Sequence, residues 1–78
     1  MDKASLLDLC ASARDRIERA DLRIQSQHTV IAALEAGGVD PTMAKAIFVK
    51  LIAAQDADLD EMEHLLDELD NTPARRQA

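Results

Sequence analysis

The sequence predicts an all-α fold, an antiparallel two-helix coiled-coil hairpin that dimerises into a four-helix bundle. Three observations predict it. Gly37-Gly38-Val39-Asp40-Pro41 places helix-stopping residues directly before helix-starting ones. On both sides of that stretch, apolar residues recur in steps of four and three. Finally, a chain of 78 residues with one aromatic side chain (Phe48), two glycines and two prolines, but abundant Ala, Leu, Asp and Arg, has the composition of helices rather than strands.

The turn follows from backbone chemistry. Gly37 and Gly38 lack the Cβ that penalises a left-handed backbone at a helix C-terminus. Asp40 offers a carboxylate to cap the next helix, and Pro41 suits a first helical position, where no N–H is needed. The predicted helices therefore cover about 3–36 and about 41–70, joined by a turn over 37–40, in one hairpin domain spanning 1–71. Residues 72–78 begin with Thr72-Pro73 and carry no apolar periodicity, so a disordered tail is expected there.

The inward row of the first helix reads Leu6, Cys10, Ala13, Ile17, Ala20, Ile24, Gln27, Ile31, Leu34, a heptad seam with one polar member. The second helix reads Phe48, Ile52, Gln55, Leu59, Met62, Leu66, Leu69, again with one glutamine. Setting Ile31 opposite Phe48 gives every seam residue a partner, from Gln27 with Ile52 to Cys10 with Leu69, and puts the two glutamines in adjacent layers, close enough to bond each other. The same register brings Arg14 near Glu63 and Arg23 near Asp58, exposed pairs each worth ~0.5 kcal/mol. It also sets Asp21 beside Asp56, a like-charge pair.

A two-helix hairpin leaves the flanks of its seam in water. The flank bearing Val30, Ile47, Leu51 and Leu65, with Leu9 close by, is apolar and invites association, most simply as a twofold homodimer. Size points the same way, because so short a chain has a small core and its single Cys10 cannot form an internal disulfide.

A net charge of −6 argues against direct nucleic-acid binding. Apolar runs are too short for a membrane span, and no secretory signal is read near the N-terminus, so the cytoplasm is the expected compartment for a chain with one free thiol. Charge is segregated along the chain. Asp56, Asp58, Asp60, Glu61, Glu63, Asp67, Glu68 and Asp70 fall within 56–70 without a Lys or Arg, whereas the first helix carries Arg14, Arg16, Arg19 and Arg23.

Catalytic and metal signatures are weak. Glu61-x-x-His64 has the spacing of a carboxylate-bridged di-iron ligand pair, but the predicted seam turns both residues outward, so no metal site, cofactor or enzymatic activity is expected. His28 reads as a boundary residue near Val49, and Cys10 as packing with no base in reach. Gly37-Gly38 follows no strand and is too short to cradle a phosphate.

The sequence thus points to a non-catalytic protein–protein interaction or regulatory module, displaying Val30, Ile47, Leu51 and Leu65 as an apolar stripe and Asp56, Asp60 and Glu63 as an acidic face for a partner with a basic surface. One alternative is an acidic inhibitor of a nucleic-acid-binding protein; a less favoured one is a small metal-binding bundle using Glu61 and His64.

Ile24-x-x-Gln27-x-x-x-Ile31-x-x-Leu34-x-x-x-Gly38-x-Asp40, followed by Ala44, Leu51, Leu59-x-x-Met62 and Leu65-Leu66-x-Glu68-Leu69, resembles a group of short uncharacterised proteins of alphaproteobacteria. The resemblance covers roughly 17–69 and implies a bacterial helical hairpin with no established activity. Asp40-Pro41-Thr42 departs from the group's Gly-x-Asp-Thr turn, which bears only on the cap.

Overall fold

The computed structural model describes residues 2–72 and contains two helices, α1 (Lys3–Ala36) and α2 (Thr42–Asn71), packed antiparallel against each other. Each terminus has a local cause. Asp2, in extended conformation, accepts a hydrogen bond from the Ser5 N–H at 2.8 Å and so satisfies a donor that the first turn of α1 leaves open. At the other end Gly37 keeps φ −86° while Gly38 alone turns left-handed at φ +73°. The Val39 N–H then donates to the Leu34 carbonyl at 2.8 Å and the Gly38 N–H to the Glu35 carbonyl at 3.1 Å, the crossed pair of a Schellman ending. The two glycines are therefore not equivalent.

Asp40 opens α2 by accepting from the Thr42 N–H at 3.0 Å and from the Thr42 hydroxyl at 2.6 Å. Pro41 stands just outside the helix, and its carbonyl accepts from the Lys45 N–H at 2.8 Å. The last turn of α2 is closed by Thr72, whose N–H donates to the Leu69 carbonyl at 3.2 Å and whose hydroxyl donates to the Glu68 carbonyl at 2.7 Å. Of the expected tail over 72–78, the part from residue 73 on lies outside the described residues.

The inward face of α1 carries Leu6, Cys10, Ala13 and Ile31 buried, with Ile17, Ala20, Ile24, Gln27 and Leu34 half-buried between and beyond them. On α2 the expected face is only half right. Phe48, Gln55, Met62 and Leu69 point inward, but the residues alternating with them are Ala44, Leu51, Asp58 and Leu65. Leu59 is 45% and Leu66 52% exposed, against 8% for Leu65, and Ile52 is half-buried at the edge.

The register corrects in step with that rotation. Glu35 pairs with Lys45 at 3.2 Å, Gln27 reaches the Ala44 carbonyl at 2.9 Å, and Arg16 meets Asp58 at 3.2 Å and Glu61 at 3.0 Å. These bonds set Ile31 opposite Ala44, one helical turn from the predicted Phe48. The layers become Gln27 with Phe48, Ile24 with Leu51, Ala20 with Gln55, Ile17 with Asp58, Ala13 with Met62, Cys10 with Leu65 and Leu6 with Leu69, so that both helices keep steps of four and three throughout. A small residue meets a larger one in four of these eight layers (Ala44, Ala20, Ala13 and Cys10), which keeps the helix axes close.

The tightest packing lies away from the turn, where Leu6, Cys10, Ala13 and Leu65 form one cluster with Met62 and Leu69 against it. Cα extents of 67 × 14 × 13 Å describe a rod. Its nearly equal short axes fit two helices wound about each other, as a heptad repeat requires of an α-helix with 3.6 residues per turn.

Candidate interaction surface

Polar groups inside the seam are all bonded. Gln55, half-buried opposite Ala20, donates to the Asp21 carboxylate at 2.7 Å and to the Ile17 carbonyl at 3.3 Å. Because Gln27 is spent on Ala44, the two glutamines do not bond each other as the sequence suggested. Asp21 thus receives a donor from across the seam. The expected pairs Arg14 with Glu63 and Arg23 with Asp58 do not form; Arg16 takes Asp58 and Glu61 instead, while Arg19 pairs within α1 with Asp15 at 2.8 Å. The hydrogen bond from Arg16 to Asp58, with Glu61 adding to it, raises the guanidinium pKa further and keeps it charged.

The candidate chemical groups are accounted for locally. Glu61 is exposed and engaged by Arg16, and the His64 Nδ1 lies 2.9 Å from the Asp60 carbonyl within its own helix. Among the described residues no cluster of three or more His, Cys, Asp or Glu is arranged to hold a metal. His28 is exposed and tilts against Phe48, ring centroids 6.1 Å apart. Cys10 is buried among the leucines. No described helix is long and apolar enough to cross a membrane.

The hairpin exposes two different flanks. One is bridged by the Arg16–Glu61 pair and carries Val30 (44% exposed) and Ile47 (48%) near the turn, with Leu9 towards the far end. Two shallow depressions lie along it. One, of about 260 Å³, is lined by Arg16, Arg19, Arg23, Leu51 and Asp58 among others, and one of about 430 Å³ by Leu22, Ser26, Ile47 and Leu51 among others. Of the four residues predicted to form an exposed stripe here, only Val30 and Ile47 do. Leu51 is half-buried in the seam and Leu65 is buried, because α2 is rotated to bring them inward.

The opposite flank is bridged near the turn by the Glu35–Lys45 pair and further along by Gln55 to Asp21. Here Ile52, Leu59 and Leu66 follow one another at intervals of seven residues along α2, with the exposed Leu7 at the end of α1. Heptad spacing places Asp56, Glu63 and Asp70 in the next row outward on the same helix. All three are exposed, and none makes an ion pair among the described residues. Asp60 lies on the outermost face of α2, also exposed.

No protein-family model, curated protein or solved structure matches this chain.

Sequence reasoning therefore located Asp56, Asp60 and Glu63 on the surface but missed Leu59, Leu66 and Leu7 as exposed apolar groups. The signal that identifies them is Ala44. It lies four residues before Phe48, and continuing the four-three rule from it leads to Leu51, Asp58 and Leu65, which leaves Ile52, Leu59 and Leu66 as a surplus row.

Proposed function

We propose that this chain is a non-catalytic protein–protein interaction module of the cytoplasm, a rigid rod that offers partners an apolar flank bordered by an acidic face. One observation carries the reading: after the seam is closed, α2 still has Leu59 and Leu66 about half exposed beside the carboxylates of Asp56 and Glu63, which make no ion pair among the described residues. Leucines held in water on a stiff helix at regular spacing are costly without an occupant. Affinity purification from the native cell tests this, with wild type, Leu59→Lys and Ala46→Lys as baits. A specific protein partner retained by wild type and by Ala46→Lys, an exposed outward position, but lost from Leu59→Lys is the expected result. Identical recoveries from all three baits contradict the reading.

Self-association belongs to the same proposal and uses the Val30 flank. A twofold axis across the rod sets Arg23, in the turn-proximal half of one copy, against Glu61 in the far half of the other, while Val30 and Ile47 approach Leu9. Sedimentation equilibrium should find a homodimer that Ile47→Glu converts to monomer. A wild-type chain that is monomeric at tens of micromolar removes this part.

A further inference from the structure

We infer that the flank carrying Ile52, Leu59 and Leu66 is the seat of a third helix, a cationic amphipathic helix supplied by a partner protein. The inference rests on the interaction-module reading and specifies the chemistry of the partner. A helix that packs against one neighbour needs two apolar positions per heptad, whereas one that touches two neighbours needs three. α1 follows the first pattern and α2 the second. The surplus row combines with Phe48, Gln55, Met62 and Leu69 into a second four-three seam on α2, continuous with the closed one. In that second seam Leu59 occupies the level at which the closed seam has Asp58, so the open seam is the more apolar of the two.

Charge selects the occupant. The row bordering the open seam on α2 is Asp56, Glu63 and Asp70, exposed and without ion pairs among the described residues. On the α1 side, Arg14 is offset by Glu18 and Asp21, which leaves the groove acidic as a whole. Two copies of this flank applied to each other through α2 would set these acidic rows face to face, an arrangement that costs energy at neutral pH. A helix with its own apolar row and flanking Lys or Arg at heptad spacing meets both requirements at once.

The test uses a synthetic helical peptide of about three heptads with Leu at four-three spacing and Lys at the flanking positions, beside a control with Glu replacing each Lys. Isothermal calorimetry on the full chain is expected to show 1:1 binding of the Lys peptide and none of the Glu peptide. The double variant Asp56→Asn/Glu63→Gln should weaken binding roughly tenfold or more, whereas Asp8→Asn/Asp67→Asn, an equal charge change on outward positions, should leave it unaltered. Leu59→Lys should abolish it, and Leu66→Lys serves in its place if circular dichroism finds Leu59→Lys unfolded. Equal weakening by the two double variants, or undiminished binding by both lysine variants, overturns the inference. So does wild-type self-association that Leu59→Lys removes, which would assign the row to a second copy. If the peptide fails to bind but Leu59→Lys still releases a captured partner, the interaction module stands and the cationic helix falls.

Discussion

Two neighbouring leucines, truncated to alanine one at a time, distinguish the packing of α2 in this structure from the packing its periodicity first suggests. Leu65 is 8% exposed and belongs to the cluster with Leu6, Cys10 and Ala13, whereas Leu66 is 52% exposed. Truncating Leu65 forfeits ~2 kcal/mol of transfer free energy. A cavity term adds ~0.5–1 kcal/mol, because the facing Cys10 and Ala13 are too short to move into the space. Truncating Leu66 removes about half of the transfer contribution and opens no cavity, a cost of ~1 kcal/mol. Both changes gain a few tenths of a kcal/mol, at about the same level, from the higher helix propensity of alanine. Since a domain of this size has a total stability of roughly 4–12 kcal/mol, the difference of ~1.5–2 kcal/mol is readily measured. Urea unfolding followed by far-ultraviolet circular dichroism, at matched protein concentration so that association contributes equally, reports it as a shift of midpoint at unchanged slope. A Leu66→Ala protein as destabilised as Leu65→Ala would refute the rotation of α2 and with it the register.

The remaining predictions concern the turn, the half-buried Asp58 and the caps. Gly38→Ala should cost ~1 kcal/mol or more, since φ is +73° there, while Gly37→Ala should cost little, because φ is −86° and an added Cβ would meet its neighbours at 3.5–4.0 Å; thermal melts of the two variants separate them. Asp58→Leu should stabilise the hairpin by ~1 kcal/mol by extending the apolar layer at Ile17, and Arg16→Met should destabilise the wild type more than the Asp58→Leu background, where Arg16 keeps only Glu61, as a double-mutant cycle would read. Hydrogen bonds from the Thr42 hydroxyl and N–H hold the Asp40 carboxyl below its ordinary pKa of 3.8, as the Ser5 N–H does for Asp2. On acidification the unfolded chain therefore takes up these protons first. The stabilisation is complete above about pH 5 and disappears as pH falls through the folded-state values. Asp40→Ala should accordingly flatten the acid limb of the stability–pH curve, measured by urea unfolding at a series of pH values, and an acid limb identical to wild type would count against the cap.

How much of the candidate surface was legible depends on the helix concerned. In α1 the apolar positions fit one four-three row, and Leu6 through Leu34 could be assigned inward without ambiguity. In α2 two rows fit equally well, because Phe48, Gln55, Met62 and Leu69 belong to both and the residues between them come as neighbouring pairs: Leu51 with Ile52, Asp58 with Leu59, Leu65 with Leu66. Periodicity favoured the row without an aspartate. The structure uses the other row, in which Arg16 supplies Asp58 with a charged partner. The residues left outside, Leu59 and Leu66, were for that reason the ones the sequence hid.

That the chain is two helices, where they stop, and which side of the first faces inward all follow from caps, glycine conformation and a single unambiguous apolar row, which are local properties of the polypeptide. Which of two adjacent rows α2 contributes to the seam is settled by how the two helices meet in space. That choice depends on non-local geometry. The Schellman ending and the Asp40–Thr42 bonds bring Ala44 down beside Ile31, a small residue where the helices first touch, and one turn of displacement at that point is transmitted along a stiff helix to every layer beyond.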